Sequence, residues 1–134
     1  MPANTNPIFV LTPNLAEVTF TSADTTSSKD LITGGSNGTK VLGISATSSD
    51  SATINMRLYV HDGSTAYLVG TVAIVTNSGT NGTAPAVDLL SMSALPWLDS
   101  DGEFLLPSGY KLQVACLATM TTGTCTIVCF GGDY

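Results

Sequence analysis

The sequence predicts an all-β protein, an antiparallel and jelly-roll-like β-sandwich of about eight short strands. Three observations predict this fold class. Apolar and polar residues alternate along several segments, which is the period of a half-buried strand. Clusters of Gly, Ser, Asn and Thr separate those segments about every 8–12 residues. The common helix formers Lys, Glu, Gln and Arg are scarce.

The length of 134 residues suits one domain. We divide the chain into an extended N-terminal arm, residues 1–14, and a single β-sandwich domain, residues 15–134. Hydrophobic residues make up 43% of the chain and charged residues only 10%, against about 25% charged in typical soluble domains. The protein can therefore build one apolar core beneath a surface of mainly Ser, Thr, Asn and Gly.

The first two predicted strands lie at 17–21 (EVTFT) and 40–47 (KVLGISAT). In each of them the alternate apolar side chains should point into the core. The predicted inward-facing residues are Val18, Phe20, Leu42, Ile44 and Ala46. The stretches SADTTSSKD and TGGSNGT, which lie between these strands, have the composition of turns.

Residues 52–61, ATINMRLYVH, give the clearest strand signal, because the alternation runs through ten positions without a break. The predicted inward-facing residues are Ala52, Ile54, Met56, Leu58 and Val60. Asp62-Gly63 follows and predicts a hairpin turn into residues 65–75, TAYLVGTVAIV. That partner strand is apolar on both faces, which predicts a central or covered position in its sheet.

Residues 110–118 (YKLQVACLA) and 125–130 (CTIVCF) predict the last two strands, separated by a Thr-Thr-Gly turn. The predicted inward-facing residues of the first are Tyr110, Leu112, Val114 and Cys116. No segment predicts a regular helix, although 89–98 has room for one short turn before Pro96.

Residues 77–85, NSGTNGTAP, are small and uncharged and lie between two apolar segments. A phosphate-binding loop would need Gly-Lys-Ser/Thr and a following helix, whereas Pro85 opposes a helix here. The alternating pattern continues unchanged beyond the segment, which excludes a domain linker. We therefore predict a surface loop.

The charge balance excludes some partners. The net charge is −6 and the four Lys and Arg residues are scattered, which argues against nucleic acid and against an anionic membrane surface. No apolar run approaches the roughly 20 residues that span a bilayer. The first residues lack the basic and apolar regions of a signal peptide, so we expect the chain to be made and used without export.

The three cysteines, Cys116, Cys125 and Cys129, do not form a disulfide framework, since their number is odd. Cys125 and Cys129 would lie roughly 13 Å apart on one strand, too far to bridge. Cys116 could face Cys129 if residues 119–124 form a tight turn. The other interpretation is that all three are buried free thiols.

No catalytic, cofactor-binding or metal-ligating group of residues is predicted. His61 is the only histidine, and its neighbour Asp62 would point to the opposite face of a strand. Residues 99–103, DSDGE, partly match a calcium loop but lack its third ligand, and we predict a turn there. The glycosylation sequons at Asn37 and Asn81 would matter only in a secreted protein.

Two stretches are candidate contact surfaces. PIFVLTPN (7–14) is either an extended arm that can add onto a neighbouring sheet edge or an ordinary first strand. LPWLDSDGEFLLPSG (95–109) places large apolar groups among turn residues, where they either cap the core or anchor a partner. The candidate protein-contact residues are Pro7, Ile8, Phe9, Val10, Leu11, Trp97, Leu98, Phe104 and Leu105.

Four stretches in order carry a family resemblance: TKVLGISATSSDSATINMRLYV, YLVGTVAIVTNSGTNGTAPAVDLLS, FLLPSGYKLQV and the closing FGGDY. Together they resemble small tailed-bacteriophage virion proteins, the capsid decoration (cement) proteins with a jelly-roll-like β fold. The resemblance runs from about Phe9 to Tyr134, and its motifs are architectural. It implies a homotrimer on the outside of a capsid lattice, with the major capsid protein and copies of itself as partners and with no cofactor.

These observations lead to one hypothesis and one alternative. We expect a non-enzymatic structural virion protein, made in the bacterial host cytoplasm, that binds the outside of a phage capsid and stabilises it. The alternative is a carbohydrate-binding β-sandwich module of a phage tail or head fibre, with Tyr59, Tyr67 or Trp97 as a sugar-stacking platform. A hydrolase would need His61 in a pocket together with a serine and an acid.

Overall fold

The computed structural model describes residues 9–134, which form nine strands and one 3-10 helix, Ser22–Asp24. The strands are β1 (Thr12–Phe20), β2 (Lys29–Thr33), β3 (Thr39–Ser48), β4 (Ile54–His61), β5 (Ala66–Ile74), β6 (Val87–Asp88), β7 (Phe104–Leu106), β8 (Lys111–Cys116) and β9 (Cys125–Asp133). Two of the predicted contact residues, Pro7 and Ile8, lie outside the described residues.

The strands form two antiparallel sheets packed face to face. The five-stranded sheet has the order β1-β9-β3-β6, with β7 also pairing with β3, and the four-stranded sheet has the order β2-β8-β4-β5. The pairing is nested: β1 with β9, β2 with β8, β3 with β6 and β7, and β4 with β5. This is the wound-hairpin topology of a jelly roll, so the predicted fold class is confirmed.

The core lies between the sheets and consists of the inward residues of nearly every strand. The largest side chains with almost no solvent exposure are Phe20, Ile44, Met56, Leu58, Ile74, Leu89, Leu95, Leu106, Leu112 and Ile127. The predicted alternation in β4 and in β8 is confirmed, with Met56 and Leu112 fully buried. Ala52 differs, because it precedes β4 and is exposed.

The inward assignment of Leu42 was wrong. A β-bulge interrupts the pairing of β3 with β9 between Val41 and Gly43, and it shifts the alternation by one residue. Val41 therefore points into the core and is fully buried, whereas the Leu42 side chain is 46% exposed. Ile44 and Ala46 are buried as predicted.

Strand β2 was missed, because Lys29, Asp30 and Thr33 were assigned to turns and the two residues between them to no element. A register shift between Asp30 and Ile32 places two consecutive apolar residues, Leu31 and Ile32, inside the protein. Consecutive burial removes the alternation from which a strand is recognised.

The predicted central or covered position of β5 was wrong in part. β5 is an edge strand of the four-stranded sheet, and Tyr67 and Leu68 are exposed. Its inner side is covered by the segment 89–98, whose fully buried Leu95 packs against Gly70. The predicted short turn in this segment is present, since Ser91 accepts backbone hydrogen bonds from Ala94 and Leu95.

The loop at 77–85 is a surface reversal between β5 and β6, as predicted, and it is well tied to the body. The Gly79 amide donates to the Ala84 carbonyl (2.8 Å), and Ser48 of β3 donates to Ser78 (2.9 Å). Asp50, which is buried, joins the neighbouring loops at this end by accepting the amides of Ala52 (3.0 Å) and Thr121 (2.9 Å).

Cys116 does not lie opposite Cys129. The residues between β8 and β9 cross from one sheet to the other, so the two cysteines belong to different sheets. All three cysteines are free and buried, which agrees with the second of the two interpretations.

Candidate interaction surface

The outer face of the five-stranded sheet carries a group of exposed apolar side chains at one end, which we call the apolar patch. It consists of Val10, Leu15, Leu42, Leu105 and Phe130. The pairings of Leu15 with Phe130 and of Phe130 with Gly43, the neighbour of Leu42, place three of these residues side by side on β1, β9 and β3. Exposed apolar groups that adjoin across several strands are typical of protein-contact sites.

The next row of the same face completes the patch. Leu105 pairs with Lys40 on β3, and Lys40 pairs with Gly132 on β9. Gly132 has no side chain, and Val10 fills the space that a side chain at residue 132 would need. The one cation in this row is neutralised, because Lys40 Nζ lies 3.2 Å from Glu103 Oε1.

Away from the patch the outer face becomes polar. Val128 is flanked across the strands by Glu17 and Ser45, and Thr19 then pairs with Thr126. The hydroxyl groups of these two threonines lie 3.4 Å apart. The apolar character is therefore confined to the end of the sheet where β1 begins and β9 ends.

The two predicted contact stretches meet at that end. Leu11, from the first stretch, and Leu105, from the second, line one open depression with Asn37 and Tyr134. The side chains of Leu11 and Leu105 are 80% and 63% exposed. They come together because β1 and β7 both lie in the five-stranded sheet, separated by β9 and β3.

The first predicted contact stretch, residues 7–14, lies partly in β1 and partly before it. Residues 12–14 of the predicted arm form the start of β1 and pair with β9. The Leu11 amide continues the contact by donating to the Asp133 carbonyl (2.8 Å). Phe9 precedes this contact and is 70% exposed.

The remaining predicted contact residues have mainly structural positions. Leu98 is buried, and Phe104 packs against the core. Trp97 is 39% exposed and meets Phe104 edge-on, with ring centroids 5.0 Å apart. Its indole Nε1–H donates to the Val69 carbonyl on β5 (3.0 Å), which ties the ring to this edge strand.

The edge of β1 is the least protected edge in the described part of the chain. β6 and β7 are two and three residues long, and β2 contains a register shift and the charged residues Lys29 and Asp30. β1 has nine residues in continuous register with β9, and Glu17 is its one charged residue. Lys29 Nζ closes its far end by donating to the Thr19 carbonyl (2.5 Å). The part that remains open adjoins the apolar patch, and such an edge invites a further strand.

The outer face of the four-stranded sheet has a different character. Asp30, Gln113, Tyr59 and Leu68 form one row across its four strands. Asp30 accepts hydrogen bonds from Gln113 Nε2 (2.6 Å) and from Lys111 Nζ (3.2 Å). These contacts, led by the Gln113 hydrogen bond, lower the pKa of the Asp30 carboxyl. These three polar side chains of the face therefore bind one another.

The three rings proposed for sugar stacking are not brought together. Tyr59 pairs with Leu68 and Tyr67 pairs with Val60, so the two tyrosines project from opposite faces of their sheet. Trp97 uses its indole N–H within the protein. A stacking platform would need these rings side by side with exposed faces.

His61 and the DSDGE segment have structural partners. His61 Nδ1 accepts the amide of Gly63 (3.0 Å) in the hairpin turn. The predicted turn at 99–103 is present, because Asp99 Oδ1 accepts the amides of Asp101 and Glu103, both at 2.9 Å. The carboxylates of these three residues lie within 4.8 Å of one another. The turn and the Glu103–Lys40 ion pair explain this arrangement, and we assign no metal to it.

The thiols of all three cysteines are buried in the core. Burial raises the pKa of Cys125 and of Cys129 to about 12 and also raises the pKa of Cys116. Since the thiolate is the reactive form, these thiols are inert at neutral pH.

Sequence reasoning missed three patch residues, Leu15, Leu42 and Phe130. A signal was present for two of them, because Leu15 and Phe130 alternate with inward residues and so fall on the outer face of their strands. A large apolar residue at an outward position indicates a contact surface. No such signal existed for Leu42, whose orientation depends on the bulge.

No family model matches the chain, and no curated protein matches it. Among solved structures the chain is similar to one described as the cyanophage Pam1 capsid asymmetric unit, at 18% sequence identity. The match covers 99% of this chain and 94% of that chain, with a TM-score of 0.45. A likeness of this extent establishes neither a shared function nor shared site residues. The described residues contain no helix that is long and apolar enough to cross a membrane.

Proposed function

We propose that the protein is a non-enzymatic structural component of a phage virion, which binds the outer surface of the capsid and stabilises it. Its partners are the major capsid protein and further copies of this chain in a homotrimer. The observation that carries the proposal is the apolar patch beside the open edge of β1.

The patch supplies the energy that such a contact needs. Burying one exposed leucine contributes about 1.5–3 kcal/mol, and the patch offers three leucines, a valine and a phenylalanine on adjoining strands. Lys40 in its midst is already paired with Glu103, so covering it leaves no unpaired cation. The partner surface should therefore be mainly apolar.

The edge of β1 supports binding to another protein rather than to a small ligand. Its unpaired backbone groups can be satisfied by an added strand, and the adjoining apolar side chains then fix the register. A closed ring of copies would cover such edges and limit aggregation, as the proposed trimer requires.

Other features agree with this role. The resemblance of the sequence to decoration proteins covers nearly all of the described chain, and the buried free thiols suit assembly in a reducing cytoplasm. The proposal also agrees with the capsid origin of the solved structure noted above, on which it does not depend.

Electron cryo-microscopy of capsids that lack the protein, before and after addition of the purified chain, tests capsid binding. We expect new density at symmetry-related positions on the outer surface of the shell. Capsids that gain no density at saturating protein would contradict the proposal. Heating the same particles tests stabilisation, since bound particles should release their genome at a higher temperature.

Light scattering of the purified chain tests the oligomer separately. We expect three times the mass of one chain, and the mass of a single chain would contradict the trimer. A single-chain mass combined with capsid density would limit the correction to the oligomeric state.

A further inference from the structure

The chain contains two described Asn-Gly pairs, and their surroundings differ. Asn37-Gly38 and Asn81-Gly82 are both exposed at the asparagine, and both glycines have positive φ, of 90° and 81°. A glycine after asparagine favours attack of its amide nitrogen on the side-chain amide carbon, because no Cβ obstructs the approach. In an unfolded chain the two pairs are chemically alike.

The folded chain restrains the first pair. The Gly38 amide donates to the Gly35 carbonyl (2.9 Å), so the nucleophilic nitrogen is engaged in a hydrogen bond. Thr39 follows at once, is fully buried, and pairs with β9 and β7. Asn37 Nδ2 also contacts the Tyr134 carbonyl (3.4 Å). Attack would break the turn and move backbone that is held on both sides.

The second pair is free of these restraints. Within residues 9–134 the Gly82 amide donates no hydrogen bond, and a Cβ placed at Gly82 would meet no atom within 4 Å. Asn81 Oδ1 accepts the amide of Thr83 (3.0 Å), which polarises the side-chain carbonyl and stabilises negative charge that develops on its oxygen. The loop is held at Gly79 and Ala84, and Thr80 is held by the carbonyl groups of Asn77 (3.3 Å) and Ser48 (3.4 Å). Residues 81–83, which lie between these contacts, are exposed.

We propose that Asn81 is a site of spontaneous deamidation in the folded protein and that Asn37 is protected. The Gly82 nitrogen loses its proton to solvent and bonds to Cγ of Asn81. The bond from Cγ to Nδ2 then breaks, and ammonia leaves with the proton it gains from solvent. Water next adds to one of the two carbonyl carbons of the resulting succinimide and opens the ring. The product is aspartate or isoaspartate, and water is the only other reactant.

The reaction changes the charge of one end of the molecule. The loops 76–86 and 117–124 lie together there, since Ser48 bonds to Ser78 and Ser49 bonds to Thr124, and neither loop carries a charged residue. Deamidation at Asn81 therefore adds a carboxylate to an uncharged loop surface. The isoaspartate product also lengthens the backbone by one carbon at the loop tip.

The proposal can be tested by incubating the purified chain at pH 8 and about 37 °C. Peptide mapping with mass spectrometry then measures deamidation at each asparagine. In the folded chain we expect Asn81 to convert at least about tenfold faster than Asn37, because attack at Gly38 must first break a hydrogen bond. In urea the two rates should become equal within about a factor of two. Equal rates in the folded chain, or faster conversion of Asn37, would overturn the proposal.

Two matched variants give an independent result by isoelectric focusing. Asn81→Gln should abolish the acidic species that accumulates during incubation, because glutamine would have to close a six-membered ring, which forms much more slowly than the five-membered succinimide. Asn37→Gln should leave that species unchanged. Persistence of the acidic species in Asn81→Gln would also overturn the proposal.

Discussion

The two outer faces of the sandwich are built by the same alternation but have opposite characters. On the four-stranded sheet, Asp30 accepts hydrogen bonds from Gln113 and Lys111, so these three polar groups are paired within the chain. On the five-stranded sheet, Leu15 and Phe130 adjoin in solvent with no covering side chain in the described chain. The first face presents a paired polar network, and the second presents adjoining apolar side chains.

The edge strands of the two sheets also differ in how far the rest of the chain contacts them. β1 and β5 are both nine-residue edge strands. Within residues 9–134 the Trp97 indole donates to the Val69 carbonyl of β5, whereas no side chain donates to the first part of β1. Leu95 covers Gly70 on the inner side of β5. This difference between the two edge strands can be tested from both sides.

The largest effect should come from a charge on the apolar patch. Leu15→Asp places a carboxylate where the capsid contact is proposed, next to Glu17 on the same face. We expect capsid affinity to fall at least about tenfold, since a buried leucine contributes about 1.5–3 kcal/mol and 1.4 kcal/mol is about tenfold. Co-sedimentation with capsids measures the loss.

Leu68→Asp is the matched control for that variant. Leu68 is a similarly exposed leucine on the outer face of the other sheet, and its replacement should leave capsid affinity unchanged. Circular dichroism should show that both variants are folded. Equal losses in the two variants would contradict the assignment of binding to the five-stranded face.

The next effect should come from methyl groups added at the two covered glycines. In Gly70→Ala the new Cβ lies 2.0 Å from Leu95 Cδ2, and Leu95 is fully buried. We expect a loss of about 1–3 kcal/mol in the free energy of unfolding. In Gly132→Ala the new Cβ meets Val10, which is partly exposed and can move, so the loss should stay below about 0.5 kcal/mol.

Urea unfolding of both alanine variants measures these losses. Similar destabilisation of the two would mean that Val10 is held as firmly as Leu95, and the difference between the buried cover of Gly70 and the partly exposed cover of Gly132 would then be absent.

A smaller effect should come from the polar network. The pKa of Asp30 is lowered in the folded protein, so its ionised form stabilises the fold above the unfolded pKa of about 3.9. That contribution is lost as the pH falls through the lowered folded value. Asp30→Asn should cost less than about 0.5 kcal/mol at pH 7, because the group is half exposed, and the difference from the parent should close below about pH 4.

Glu17→Gln on the other face is the matched control for Asp30→Asn. Glu17 makes no hydrogen bond or ion pair within residues 9–134, so its replacement should change the free energy of unfolding at pH 7 by less than Asp30→Asn does. An equal change in the two variants would show that the network at Asp30 does not stabilise the sheet.

The smallest effect is expected from a thiol reagent. Cys116 belongs to the four-stranded sheet, and Cys125 and Cys129 belong to the five-stranded sheet, with the pKa of each raised by burial. At pH 8 we expect no alkylation of the native protein at any of the three sites and full alkylation in urea. Labelling of Cys116 alone in the native protein would show that the four-stranded sheet opens separately.

The alternating pattern was sufficient where strands are regular. Met56, Leu58, Leu112 and Val114 were placed correctly, because each strand repeats with period two and packs on one side. It failed at the bulge beside Leu42 and at the register shift of β2, since one extra residue puts the side chains before it and after it out of step. Whether an apolar strand such as β5 is central or at an edge depends on its neighbours, which the local pattern does not contain.

The sequence by itself determined that this chain forms an antiparallel sandwich with an apolar core, because alternation and turn composition are local properties. It also identified the stretches that contain Leu11 and Leu105, each as a separate candidate contact. Only the tertiary structure decided that these two residues share one depression and that Leu15, Leu42 and Phe130 adjoin. The reason is physical: strand order and register bring together residues that are far apart in the sequence, and the free energy that selects them belongs to the whole core.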